Sequence, residues 1–146
     1  MIHFVDQVDD NKWSQLSDSI YEWKSPVTVE ILNSLPVFGK KILEVGCSTG
    51  QVTEYLGHNC AEVLALDTSQ SMLLHAKKRI QKYVELKNVT FQELQDFAVF
   101  PQLDGKFDQI LMLNSCFTAI TDVQDQRQYL TDAHDALVNG GQLIIC

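Results

Sequence analysis

Lys41-Ile42-Leu43-Glu44-Val45-Gly46-Cys47-Ser48-Thr49-Gly50 is an apolar run interrupted by one acid and closed by a glycine turn. A second apolar run, residues 61–66, ends in Asp67, 21 positions after Gly46. Strand, tight turn, helix, strand and terminal acid is the layout that cradles a nucleotide at the turn and offers a carboxylate to a ribose diol.

Outward from that stretch the chain alternates helical and extended patterns, which predicts an α/β protein. Trp13, Leu16, Ile20 and Trp23 space a helix over residues 11–23, with both tryptophans as packing anchors. Ser25-Pro26 suits the start of a second helix carrying Val27, Ile31 and Leu35 and stopping before Pro36. Strands are expected at 41–45, 61–66, 89–91, 107–113 and 142–146, with helices over 50–56 and 69–84. Met72, Leu73, Ala76, Ile80 and Val84 form one apolar stripe of the latter. Thr121 to Gln124 matches a capping box opening a helix to Val138, which Asn139-Gly140-Gly141 ends. Buried parallel strands read as unbroken apolar runs, and right-handed crossovers give a doubly wound, mainly parallel five-stranded sheet. Its order is 3-2-1-4-5, with helices on both faces. The ligand crevice then lies at the carboxyl ends of strands one and four, beside Glu44, Gly46, Asp67 and Asn114.

The length of 146 residues suits a single domain over 1–146, with an N-terminal helical cap (1–38) on a core (39–146). No stretch reaches membrane-spanning length and the start is unlike a signal peptide, so a cytoplasmic protein is expected. Nineteen acids face eleven bases for a net charge of −8. Without clustered cations to displace phosphate counterions, nucleic acid is not an expected partner. Lys77-Lys78-Arg79 reads as a solvated helix face. Cys47, Cys60, Cys116 and Cys146 form no C-x-x-C pair, and His3, His58, His75 and His134 lack ligand spacing, so no metal is expected. The cysteines read as reduced, mostly buried small hydrophobes.

The turn also selects among nucleotides. The dinucleotide fingerprint G-x-G-x-x-G fails here at two glycines, since Ser48 and Gln51 stand in those places. Glu44 would repel a pyrophosphate, and no P-loop lysine follows. A nucleoside with a ribose diol for Asp67 and positive charge near Glu44 fits better.

Residues 42–50 resemble the first motif, E-x-G-x-G-x-G, of the class I (Rossmann-like) S-adenosylmethionine-dependent methyltransferases, in their small-molecule branch. Ser48 replaces the middle glycine. Residues 65–69 with Met72, Leu73 and Ala76 look like the second motif. The resemblance continues through 107–111 and 137–143, four motifs in order over residues 40–146. It implies S-adenosylmethionine as cofactor, S-adenosylhomocysteine as product, and methyl transfer to a small-molecule acceptor.

The roles it implies run along the chain. Gly46 and Gly50, with Cys47 and Ser48 between them, let the backbone approach the methionyl part. Glu44 helps hold its amino group, and Asp67 takes the ribose hydroxyls. Thr68 and Met72 pack near the adenine, and Glu93-Leu94 read its edge unless the local length shifts that task to Gln95-Asp96. The backbone at Leu113 or Asn114 contacts the amino end, and Tyr21 reaches the carboxylate. Asn114 and Phe117 line the crevice. No catalytic base is assigned, because a sulfonium is already activated for transfer.

The family continues past strand five with strands 6 and 7, which are absent here. A fragment, pairing of strand five with another chain (a homodimer through that edge), or a reduced module are the three readings, and a truncated or compact enzyme is preferred. The alternative functions are a non-catalytic cofactor-binding or interaction module and a nicotinamide-dependent oxidoreductase.

Overall fold

The computed structural model describes residue 12 and residues 26–83, 86–103, 105–113 and 115–146. Five strands pair in parallel: β1 Lys41–Val45, β2 Glu62–Asp67, β3 Val89–Glu93, β4 Phe107–Met112 and β5 Leu137–Ile145. Their order is β3-β2-β1-β4-β5, the doubly wound order expected from the apolar runs. The helices are α1 Pro26–Ser34, α2 Gln51–Asn59, α3 Gln70–Ile80 and α4 Val123–Ala136, with a 3-10 turn at Cys116–Ala119.

Side chains alternate across a strand, so each central strand feeds two cores. Leu43 and Val45 of β1 join Ile110 and Met112 of β4, Leu66, Phe100, Tyr129 and Ala133 on one face. Ile42 joins Val63, Leu111, Leu113, Val52, Leu56 and Leu32 on the other. The same alternation sends Glu44 toward the face that α2 covers. Among the described residues no helix links β3 to β4; instead Leu94, Phe97, Ala98, Phe100 and Leu103 of the connecting segment pack on the first face beside α4.

Several boundaries differ from expectation, each for a local reason. Helix α2 runs three residues past Leu56 through Gly57, whose missing side chain admits Val89 and Leu86; a Cβ there would lie 2.9 Å from Val89 Cγ2. The described part of α3 ends at Ile80 rather than near Val84; a turn follows in which the Tyr83 amide donates to the Ile80 carbonyl at 2.9 Å and the Tyr83 hydroxyl to Glu54 at 2.6 Å. β2 begins at Glu62 and includes Asp67, and β3 extends to Glu93, because Asp67 and Glu93 are ladder partners. β4 closes at Met112, one residue before the expected Leu113.

The cap of α4 is Asp122, not Thr121. Its carboxylate accepts from the Gln124 and Asp125 amides at 2.7 and 3.2 Å, a stronger arrangement than a hydroxyl offers. That helix stops at Ala136 rather than Val138, since Leu137 already pairs with Phe107. Asn139-Gly140-Gly141 therefore belongs to an irregularity inside β5, between the Phe107–Leu137 and Gln109–Gln142 pairs. The expected helix over 11–23 and the Ser25 cap lie outside the described residues, Lys12 apart.

Candidate cofactor site

The loop between β1 and α2 is built by donors aimed at the end of β2. The amides of Gly46 and Cys47 both donate to the Leu66 carbonyl, at 2.8 and 2.9 Å, and the Ser48 amide donates to Asp67 Oδ2 at 2.8 Å. The Gly50 amide closes the turn on the Cys47 carbonyl at 2.9 Å. Three residues of this turn take left-handed backbone: Gly46 (φ 79°), Ser48 (φ 50°) and Gly50 (φ 83°). Glycine does this without strain, whereas Ser48 carries a cost of about 1 kcal/mol.

The two flanking glycines serve different neighbours. A Cβ on Gly46 would overlap Cys116 Sγ and lie 3.2 Å from Cys116 Cβ and 3.8 Å from Phe97 Cε1, so the bare backbone faces the segment after β4. A Cβ on Gly50 would lie 2.8 Å from Ala76 Cβ, so that glycine lets α3 close on the turn.

Two acids flank the loop. Glu44 is 2% exposed, and its Oε2 accepts the Thr53 hydroxyl at 2.6 Å. Burial drives its pKa up to about 7; the Thr53 bond opposes that rise and the Asp67 charge adds to it. Asp67 closes β2, 6% exposed, with Oδ1 accepting the Ser69 amide at 2.9 Å opposite the Ser48 bond. The two amides fix the carboxylate's orientation. Ser69 in turn caps α3, its hydroxyl accepting the Met72 amide at 3.1 Å.

The other expected site residues gather around this turn to differing degrees. Cys47 is buried, Thr68 half-buried, and Met72 buried with Sδ 3.6 Å from Ser48 Oγ. Leu94 is buried and donates its amide to the Asp67 carbonyl at 2.8 Å. Glu93 is exposed, 3.5 Å from Gln70 Nε2. Asp96 turns instead to the Ala98 amide at 2.8 Å, so the strand end presents Glu93-Leu94 rather than Gln95-Asp96 beside Asp67. Leu113 is buried and its carbonyl accepts Cys116 Sγ at 3.1 Å. Tyr21 and Asn114 lie outside the described residues. Phe117 is half-buried, its ring 6.3 Å from that of Tyr129.

Three contributors have no sequence motif. Thr53 lies nine residues from Glu44, and the only signal is a hydroxyl one turn into the helix that follows the glycines. Cys116 reaches Gly46 across seventy positions, too far for any spacing rule. Arg79, grouped with Lys77 and Lys78 as a solvated face, turns inward while those two stay exposed. Burial and the nearby carboxylates push the Cys47 thiol far up and Cys116 to about 11, with burial the larger cause in both. All four cysteines are free thiols, but only Cys47 is buried, as expected of most of them; Cys60 and Cys116 are half-buried and Cys146 is exposed. Among the described residues no cluster of three metal-ligating side chains forms, and no helix is long and apolar enough to cross a membrane.

With this geometry in view, residues 42–141 match the methyltransferase domain family, and the chain belongs to that family. The chain is similar to a demethylmenaquinone methyltransferase of Tropheryma whipplei, at 32% identity over 108 residues, covering 74% of this chain and 41% of the relative. An uncharacterised Synechococcus protein is 35% identical over 113 residues, 75% of this chain and 26% of that one. This chain thus spans less than half the length of these relatives. In fold it resembles the N-methyltransferase NodS of Bradyrhizobium japonicum, solved with S-adenosylhomocysteine: TM-score 0.68 at 19% identity, covering 93% of this chain and 71% of NodS.

Proposed function

We propose that the chain binds S-adenosylmethionine at the carboxyl ends of β1, β2 and β4 and transfers its methyl group to a small-molecule acceptor. The observation that carries this reading is the pair of buried acids on either side of a left-handed glycine turn. Glu44 beneath the turn suits a cationic ligand and disfavours a pyrophosphate, which sets aside the nicotinamide alternative. Asp67, oriented by two backbone amides, suits a ribose diol. The relatives named for methyl transfer and the S-adenosylhomocysteine held by NodS support the same cofactor.

On this reading Glu44 receives the ammonium of the methionyl part, and Gly46, Cys47 and Ser48 give it a backbone floor. Gly50 keeps that floor pressed on α3. Thr68 and Met72 border the adenine, and Glu93-Leu94 meet its edge. Leu113, with Asn114 and Tyr21 by resemblance, completes the amino-acid end. When bound, the cofactor supplies a methyl group on a positively charged sulfur, with a neutral thioether as leaving group. The chain's task is therefore to orient, to exclude water and to avoid competing for the methyl group. Cys47 and Cys116 meet the last demand: held as thiols well above neutral pH, they lack the nucleophilic thiolate.

Calorimetric titration with S-adenosylmethionine and S-adenosylhomocysteine tests the reading. Wild type binds both; Asp67→Ala loses at least tenfold in affinity, the loss of a charge-assisted hydrogen-bond partner. Equal affinity in the variant refutes the site. Binding by wild type without turnover on any acceptor, demethylmenaquinone included, selects the non-catalytic module instead.

A further inference from the structure

One face of α3 is fitted to the cofactor turn. Met72, Ala76 and Arg79, spaced i, i+4 and i+7, share that face and meet three consecutive residues of the turn. Met72 Sδ lies 3.6 Å from Ser48 Oγ, Ala76 fills the space that Gly50 leaves open, and Arg79 Nε–H donates to the Thr49 carbonyl at 3.0 Å. Thr49 is buried, at 2% exposure, so its carbonyl has little access to water. Arg79 is itself fixed at its far end. Its Nη1 lies 3.3 Å from Glu54 Oε2, and the Tyr83 hydroxyl donates to Glu54 Oε1. Burial works to raise the Glu54 pKa, but the Tyr83 and Arg79 bonds and the Arg79 and His58 charges outweigh it. The carboxyl ends below its usual value and stays ionised for the pair.

We propose that Arg79 is a positioning residue for the cofactor turn, holding residues 46–50 in binding-ready shape through the Thr49 carbonyl. The inference rests on the reading of this turn as the cofactor floor. A guanidinium suits the task because its planar fork serves two acceptors in fixed directions, which a lysine ammonium does not. The ion pair with Glu54 alone would only tie α3 to α2; the Nε bond transmits that tie to the turn.

Four variants separate the two roles: Arg79→Met, Arg79→Lys, Glu54→Gln and the exposed neighbour Lys78→Met. Their readouts are S-adenosylhomocysteine affinity by calorimetry, melting temperature without ligand, and hydrogen exchange of the amides at 46–50. Arg79→Met and Arg79→Lys weaken binding about tenfold and speed exchange at 46–50, with Arg79→Lys keeping most of the melting temperature. Glu54→Gln lowers the melting temperature but leaves affinity within about threefold, and Lys78→Met changes neither. Wild-type affinity and wild-type exchange in folded Arg79→Lys overturn the proposal. Equal loss of affinity in Glu54→Gln and Arg79→Lys also overturns it, by assigning the effect to helix packing. If wild type binds no S-adenosylhomocysteine, the cofactor reading fails by itself. The exchange at 46–50 then decides whether Arg79 holds the turn: unchanged exchange in Arg79→Lys refutes it.

Discussion

The two ends of this sheet treat their acidic residues in opposite ways. At the amino end the half-buried Asp108 and the exposed Glu62 sit beside lysines: Lys40 Nζ is 3.7 Å from Asp108 Oδ1, and Lys41 Nζ is 2.9 Å from Glu62 Oε1. At the carboxyl end Glu44 and Asp67 are buried, and neutral donors answer them: a threonine hydroxyl for one, backbone amides for the other. Solvated pairs of the first kind cost little to keep and contribute little. Burying the Glu44 carboxyl, with desolvation pushing its pKa up to about 7, is a standing cost to the fold. Such a cost next to left-handed backbone marks the carboxyl end as the one shaped for a ligand rather than for stability.

The comparison breaks most readily at Gly46. Gly46→Ala places a Cβ onto Cys116 Sγ in a φ of 79°, so overlap and backbone strain act together. The expected outcome is a loss of about 2–4 kcal/mol of stability and no measurable cofactor binding. Adding Cys116→Ala removes the overlap with Sγ but leaves the 3.2 Å contact with Cβ and the strain, and thermal melts of the double variant should recover part of the loss. Full additivity of the two changes would mean that Gly46 and Cys116 do not touch.

Glu44 sharpens the contrast through pH. Its folded pKa of about 7 lies above the ordinary value of 4.5. Between those values the folded protein keeps a proton that the unfolded chain has released, so stability falls as pH rises across that window and levels off above it. The whole effect is on the order of 3 kcal/mol. Glu44→Gln abolishes this slope, and urea melts from pH 4.5 to 8 read it directly. Cofactor binding follows the reverse trend. A cationic amino group favours the ionised carboxylate, so wild-type affinity rises through pH 7 and binding releases a proton. Titrations in buffers of different ionisation heat detect that proton. A flat stability profile in wild type would show that the Glu44 pKa is not raised in the folded protein.

What could be read from the sequence follows the range of the interactions. β1, the glycine turn and Asp67 are legible because their signals are contiguous: an apolar run, turn residues, and an acid at a strand's end. The strand order is legible because continuous apolar runs require a parallel sheet covered on both faces. Contacts made through space are not legible. Nothing local marks Thr53 as the partner of Glu44; only the alternation of β1 puts that acid on the face α2 covers. Arg79 looks identical to its two lysine neighbours until the helix is placed on the turn. Cys116 reads as a small hydrophobe until the loop after β4 folds back on Gly46. The end of α4 and the start of β5 are not legible, because Asn139-Gly140-Gly141 reads locally as a helix stop. Instead the strand accommodates these residues as an irregularity after Leu137 has paired.

The smallest expected effect belongs to the amino end. Lys41 Nζ pairs with Glu62 and stands 5.2 Å from the Phe107 ring centroid, while its backbone amide donates to Asp108 Oδ2 at 2.8 Å. Lys41→Ala keeps the amide bond and removes only the side-chain contacts. Two partly solvated electrostatic contacts and some covered apolar surface amount to about 0.5–1 kcal/mol. Raising salt should shrink the difference between wild type and variant, because surface pairs are screened. Cofactor affinity should not change, since Lys41 sits at the opposite end of β1 from Gly46. A Lys41→Ala loss as large as that of Gly46→Ala, or one indifferent to salt, would show that the amino end is not the expendable side of the sheet. The asymmetry between surface-paired and buried acids would then lose its functional meaning.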